Sequence, residues 1–155
     1  MQSSVLGNYF EDFVIGETIY HSLSKTIFEC DNNFFSLITM NHHPLHTNID
    51  FCSKTDFNRI VVVGTLVFSI TVGITVPDIS GKAIANLCYE EINHIAPVFI
   101  NDTIYARSII LDKVESKSKS DRGVIIVETT AFNQDSVDVL KFRRKVLIPK
   151  RSQND

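Results

Sequence analysis

The sequence predicts an α+β domain in which an antiparallel β-sheet wraps around one long central helix. Three observations point there. Val61 to Val76 is a 16-residue apolar run, longer than an ordinary strand of about 5–6 residues; four β-type segments follow it; and polar turns join those segments. The 155 residues, 44% hydrophobic and 21% charged, suit one domain, taken as residues 1–150 with 151–155 as a C-terminal tail. No repeat or low-complexity linker divides it.

The first helix is expected near residues 29–39. Thr26-Ile27-Phe28-Glu29 fits a capping box, Phe34, Leu37 and Ile38 follow at helical spacing, and Pro44 forbids continuation. The Val61 to Val76 run is rich in Val, Ile and Thr, which favours strand. Its length and its apolar residues on every face instead suit a helix buried all round, with Thr65/Ser69 and Thr71/Thr75 each one turn apart. At 16 residues it falls short of the ~20 that cross a bilayer.

From Gly81 the texture becomes β-type: Ala83 to Ile95, Thr103 to Val114, Val124 to Phe132 and Val137 to Ile148. In the last, Leu140, Phe142, Val146 and Ile148 share one parity and Lys141, Arg143 and Lys145 the other, as in a strand with one buried and one solvated face. Residues 117–123 and 133–136 are polar turns, so consecutive strands run antiparallel.

Charge and cysteine usage narrow the function classes. Fifteen Lys plus Arg against 18 Asp plus Glu give a net charge of -3, which favours neither nucleic acid nor an anionic membrane as partner. Cys30, Cys52 and Cys88 form no C-x-x-C pair and read as reduced thiols. The opening Met1 to Gly7 lacks the cationic and apolar regions of a secretory leader, so a cytoplasmic protein is expected.

Candidate chemistry sits in Thr39-Met40-Asn41-His42-His43-Pro44-Leu45-His46, directly after the first helix. Imidazole is the side chain suited to moving protons near neutral pH, and His46 is the sharpest single candidate. Composition alone equally allows solvated His42 and His43 and a His46 that caps or packs. A metal site is not expected, because the three histidines have no nearby Cys partner and do not form H-E-x-x-H. No Gly-x-Gly-x-x-Gly or Walker pattern suggests a nucleotide domain.

The same segment resembles the signature of the MaoC-like acyl-CoA hydratase and dehydratase family, roughly Thr-Gly-Asp-x-Asn-Pro-Leu-His after a short helix; Thr39, Pro44, Leu45 and His46 match. Asn8 to Phe13 with Gly16-Glu17, Pro97-Val98 with Asp102-Thr103, and Phe132-Asn133-Gln134 fall in the family's order, so the likeness spans nearly the whole chain. Within the family, Leu37 to Asn41, Ile84 to Leu87 and Glu115 to Ser118 are similar to the mesaconyl-CoA hydratase, or β-methylmalyl-CoA dehydratase, branch. The resemblance implies the hotdog fold, a homodimer or higher homo-oligomer, and an enzyme that adds or removes water on a short-chain enoyl-CoA or 3-hydroxyacyl-CoA. Coenzyme A is then part of the acyl-CoA thioester substrate, and no separate cofactor is needed.

In that family an Asp and a His flank the reacting water while a backbone N–H of the central helix holds the thioester oxygen. Carried over by position, the histidine is His46 and the oxyanion donor is Gly64 at the start of the buried helix, where N–H groups are free and partial positive charge collects. The family's Asp is Asn41 here and its Asn is His43. An amide orients water but does not accept and return a proton. Three arrangements follow: His46 as both base and acid with Asn41 orienting water, a proton relay through His43 or Asp31, or binding of acyl-CoA without turnover. Thioester hydrolysis is a further alternative, since thioesterases share the fold. Asp31 reads foremost as a helix-start carboxylate. Lys141, Arg143 and Lys145 read as a solvated face before a phosphate contact, and Arg59, just before the central helix, is another candidate for the phosphates.

Overall fold

The computed structural model describes residues 6–152. Residues 1–5, on which much of the leader reading rests, and 153–155 of the expected tail lie outside the described residues. A single helical turn over Phe10–Asp12 leads into β1 (Thr18–Tyr20), β2 (Lys25–Thr26), α1 (Glu29–Ile38) and two short helices, α2 (Pro44–Thr47) and α3 (Ile49–Cys52). Then come α4 (Gly64–Ile74), a wider helical turn over Val76–Ser80, and the strands β3 (Ala85–His94), β4 (Thr103–Glu115), β5 (Arg122–Phe132) and β6 (Asp138–Pro149). The sheet order is β1-β4-β5-β6-β3, antiparallel throughout, with β2 also pairing β4.

The four long strands follow the predicted segments because alternation survives folding. On β6, Leu140, Phe142, Val146 and Ile148 are fully buried, each contributing about 1.5–3 kcal/mol by leaving water. Lys141, Arg143 and Lys145 face outward into ion pairs with Glu128, Glu90 and Glu91, as a solvated face should. The turn after β5 closes on Asn133, whose Oδ1 accepts from the N–H groups of Asp135 and Val137.

Two expectations about the helices are corrected. Thr26 does not cap α1: it lies in β2, its hydroxyl 2.7 Å from that of Thr103, and the N-cap is Phe28. The reciprocal bond of the box comes from Asp31, whose Oδ2 accepts from the Phe28 N–H at 2.9 Å. The helix α4 is not buried all round. Leu66, Val67, Thr71 and Ile74 are buried, but Thr65, Ser69 and Gly73, four apart, form an exposed stripe.

The core has two halves. Val62, Val63, Leu66 and Val67 of the central helix region pack on Ile104, Ala131, Leu140 and Phe142. Phe10 and Phe13 pack with Ile79 on Ile110, Ile125, Val127, Val146 and Ile148. Between them runs a buried polar belt. His21 Nδ1 lies 2.7 Å from Asp78 Oδ2 and its Nε2 2.8 Å from Ser108 Oγ, which in turn meets Thr129 Oγ1 at 2.8 Å. The N-terminal segment is held against the end of the belt by a close approach of Gly7, at φ +81°, where a Cβ would lie 2.4 Å from the Lys82 nitrogen.

Candidate active site

His46 lies on α2, a turn that its own sequence starts. Pro44 fits the first helical position, and His43 caps it through Nδ1, which accepts from the Leu45 N–H at 3.2 Å. The first helix has already ended at Ile38, before Met40 at positive φ, so Pro44 serves to begin the next helical turn. The His46 ring places Nδ1 2.7 Å from the Val61 carbonyl. A carbonyl only accepts, so Nδ1 is the donor, and in the neutral ring the lone pair is at Nε2. The imidazole is therefore set up as a base by one hydrogen bond.

Gly64 is the first residue of α4. The Val63 carbonyl accepts from the Leu66 N–H at 2.9 Å, one turn further in, and the helix dipole adds partial positive charge at the Gly64 end. Asn32, fully buried on the inner side of α1, ties the two parts together. Its Nδ2 donates to the His46 carbonyl at 2.9 Å, and its Oδ1 accepts from the Val63 N–H at 3.0 Å. One side chain so registers the His46 turn against the start of the central helix.

A cavity of about 330 Å³ opens where these elements meet, and both His46 and Gly64 line it. His94, the last residue of β3, lines it as well, with its ring directly over Gly64: a Cβ there would lie 2.7 Å from His94 Cε1. The remaining walls are apolar, among them Phe57, Val62, Val67 and Val139. An apolar wall with one base and one helix N-terminus can activate a water and stabilise negative charge on an oxygen.

Asn41 is not among the cavity's lining residues. It follows Met40, which sits at φ +57°, and its N–H donates to the Ser36 carbonyl at 3.0 Å, closing the end of α1. His43 is occupied as a cap and His42 lines a separate cavity beside Ser36 and Thr47. Asp31 bonds Lys25 Nζ at 2.6 Å, which with the Phe28 N–H holds its carboxyl below the usual range despite partial burial. It behaves as a helix-start residue. Arg59 stacks its guanidinium 3.5 Å from the centre of the Phe99 ring, next to a second cavity of about 280 Å³.

Sequence reasoning missed Asn32 and His94. Asn32 and Ser36, four apart and both buried, mark the inner face of α1, whereas Phe34, Leu37 and Ile38 are exposed. A polar pair at helical spacing was the available signal. For His94 there was none, because its direction depends on an irregularity in strand pairing.

The family described as MaoC like domain matches residues 12–131. The mesaconyl-CoA hydratase of Cereibacter sphaeroides is 34% identical over 94% of this chain and 42% of its own length. The β-methylmalyl-CoA dehydratase of Chloroflexus aurantiacus is 35% identical over 96% of this chain and 42% of its own length. The chain thus spans about two fifths of the length of these curated relatives. Among solved structures, a putative MaoC domain protein dehydratase from Chloroflexus aurantiacus superposes with TM-score 0.92 at 34% identity, covering 100% of this chain and 44% of that one. A monoamine oxidase regulatory protein from Archaeoglobus fulgius gives 0.81 at 32%, covering 94% of this chain and 97% of that one. A Mycobacterium tuberculosis protein described as a double hotdog fold gives 0.86 at 21%, over 96% of this chain and 46% of that one, and shows the fold alone.

Proposed function

Because the chain belongs to the MaoC-like domain family, we propose that it adds or removes water on a short-chain enoyl-CoA or 3-hydroxyacyl-CoA, of the kind that its mesaconyl-CoA hydratase and β-methylmalyl-CoA dehydratase relatives are named for. The observation that carries this reading is the shared cavity of His46 and Gly64. In hydration, His46 Nε2 takes a proton from water as its oxygen bonds to C3. The C2=C3 electron pair moves toward the thioester, and the enolate oxygen that forms is held by the N–H of Gly64. A proton delivered to C2 completes the 3-hydroxyacyl thioester. The reverse sequence removes water.

The test is loss of the conjugated thioester absorbance with mesaconyl-CoA and crotonyl-CoA. Turnover with either substrate that disappears in His46→Ala supports the reading; a wild-type rate equal to that control overturns it.

A second reading, favoured by the amide at Asn41, is a protein that binds acyl-CoA without turnover. It predicts that CoA thioesters raise the melting temperature while remaining intact.

The proposal includes a homodimer through the free edge of β3. That strand pairs only β6 among the described residues, exposes Leu87 and Ile92, and ends at the cavity. Unpaired edges invite a further strand. Light scattering on the eluting protein should give twice the chain mass; a monomer at micromolar concentration removes this part.

A further inference from the structure

Hydration needs a second proton transfer, to C2, and Asn41 is an amide outside the cavity. Among the described residues, only two titratable side chains line that cavity, His46 from α2 and His94 from β3. The ring of His94 lies on Gly64, the residue assigned to the developing oxyanion, within 3.0 Å of a would-be Cβ at Nε2. A proton carried there sits beside the atoms that receive charge.

The direction of His94 is set by a β-bulge. Glu90 pairs with Arg143, but Asn93 pairs with Lys141 and His94 with Leu140, so β3 holds one extra residue there. Regular alternation from the inward-facing Tyr89, which packs on Phe68 and Phe142, would put Asn93 on the inner face and turn His94 out. The bulge reverses this, and His94 shares the face of the buried Leu140. Its geometry is held by Glu91 at φ +52°, whose carboxylate accepts from Arg143 at 3.1 Å and whose carbonyl accepts from Asn93 Nδ2 at 2.7 Å.

We propose that His94 is the second proton-transferring group of the site, aimed over Gly64 by the β3 bulge and serving where the family motif has a carboxylate. This rests on the hydratase reading above. In hydration, neutral His46 accepts the proton of water while protonated His94 gives its proton to C2, becoming neutral as the C2–H bond forms. Solvent then returns a proton to the exposed His94 and removes one from His46, so the cycle closes with one water added. In dehydration the two exchange roles.

The experiment compares wild type, His46→Ala, His94→Gln and His94→Phe with crotonyl-CoA and mesaconyl-CoA across pH, after unfolding curves establish that each variant is folded. His94 is expected to show as a kcat loss of about 10²-fold or more with KM little changed, and as disappearance of the alkaline limb of the hydration profile in both His94 variants. A merely structural His94 would leave that limb in place. Wild-type activity lost in His46→Ala but retained with both limbs in His94→Gln overturns the assignment and leaves the hydratase reading standing. If the wild type turns over neither substrate, both fall together.

Discussion

At the scale of single residues, Asn32 contributes most for its size. It satisfies the Val63 N–H and fastens the His46 carbonyl, two contacts from one buried amide. Asn32→Ala should cost about 1–3 kcal/mol, since a buried N–H is left without a partner, and urea unfolding at constant m-value would show it. Activity should fall with it, because the His46 turn is then no longer registered on α4. Gly64→Ala separates chemistry from stability in the opposite sense. The new Cβ would meet the His94 ring, an exposed side chain that can swing aside, so the melting temperature should hold while kcat falls by about 10²-fold through misplacement. Equal kcat in Gly64→Ala would show that His94 is not needed where it lies. His46 itself was legible from residue type and spacing; Asn32 was not, because one Asn within a helix looks like any polar surface residue until its partners are known.

At the scale of elements, α1 and α4 show how far periodicity reaches. The spacing of Phe34, Leu37 and Ile38 correctly marks a helix, yet that face is exposed, and the inner side is used by Asn32, Ser36 and the partly buried Phe35. For α4 the apolar run locates the helix but overruns the observed Gly64–Ile74 at each end, and those two ends are handled differently by the fold. The positive end opens on the cavity. The negative end meets Arg144, buried to 1% exposure, whose Nη2 donates to the Thr75 hydroxyl at the C-cap at 2.7 Å. Burial presses the Arg144 guanidinium below its ordinary pKa, and the Tyr89 hydroxyl works against that. Arg144 shares the parity of Leu140 and Phe142, so alternation places it inside in spite of its charge. Arg144→Ala should destabilise by about 2–5 kcal/mol, through the cavity left in the core and the lost helix-end contact, read by chemical denaturation. A loss below about 0.5 kcal/mol would mean that the core closes over the gap.

At the scale of the whole molecule, the polar belt through Asp78, His21, Ser108 and Thr129 joins the segment after β1, the turn after α4 and the sheet. Its order mimics a nucleophile chain, but Ser108 is 1% exposed and shares its hydroxyl with Thr129, so it holds layers together and meets no substrate. Burial lowers the His21 pKa from its ordinary value, and the bond and charge of Asp78 only partly offset this. The unfolded chain therefore binds a proton that the folded one refuses. The stability from neutral His21 is fully present above about pH 6.5, the unfolded value, and is lost as pH falls toward the folded value. His21→Gln should lower the melting temperature at pH 7.5 but flatten its decline on acidification; an unchanged slope would place the pH response elsewhere.

The sequence by itself determined the class of fold, the four long strands, the position of the central helix and the candidacy of His46. Each of these depends on residue type and on spacing between near neighbours, which a chain carries whether folded or not. Only the tertiary structure decided that Asn41 stands outside the cavity, that Asn32 clamps it and that His94 enters it. The physical reason is pairing: one extra residue in β3 inverts every side chain beyond it, and that insertion exists only relative to β6.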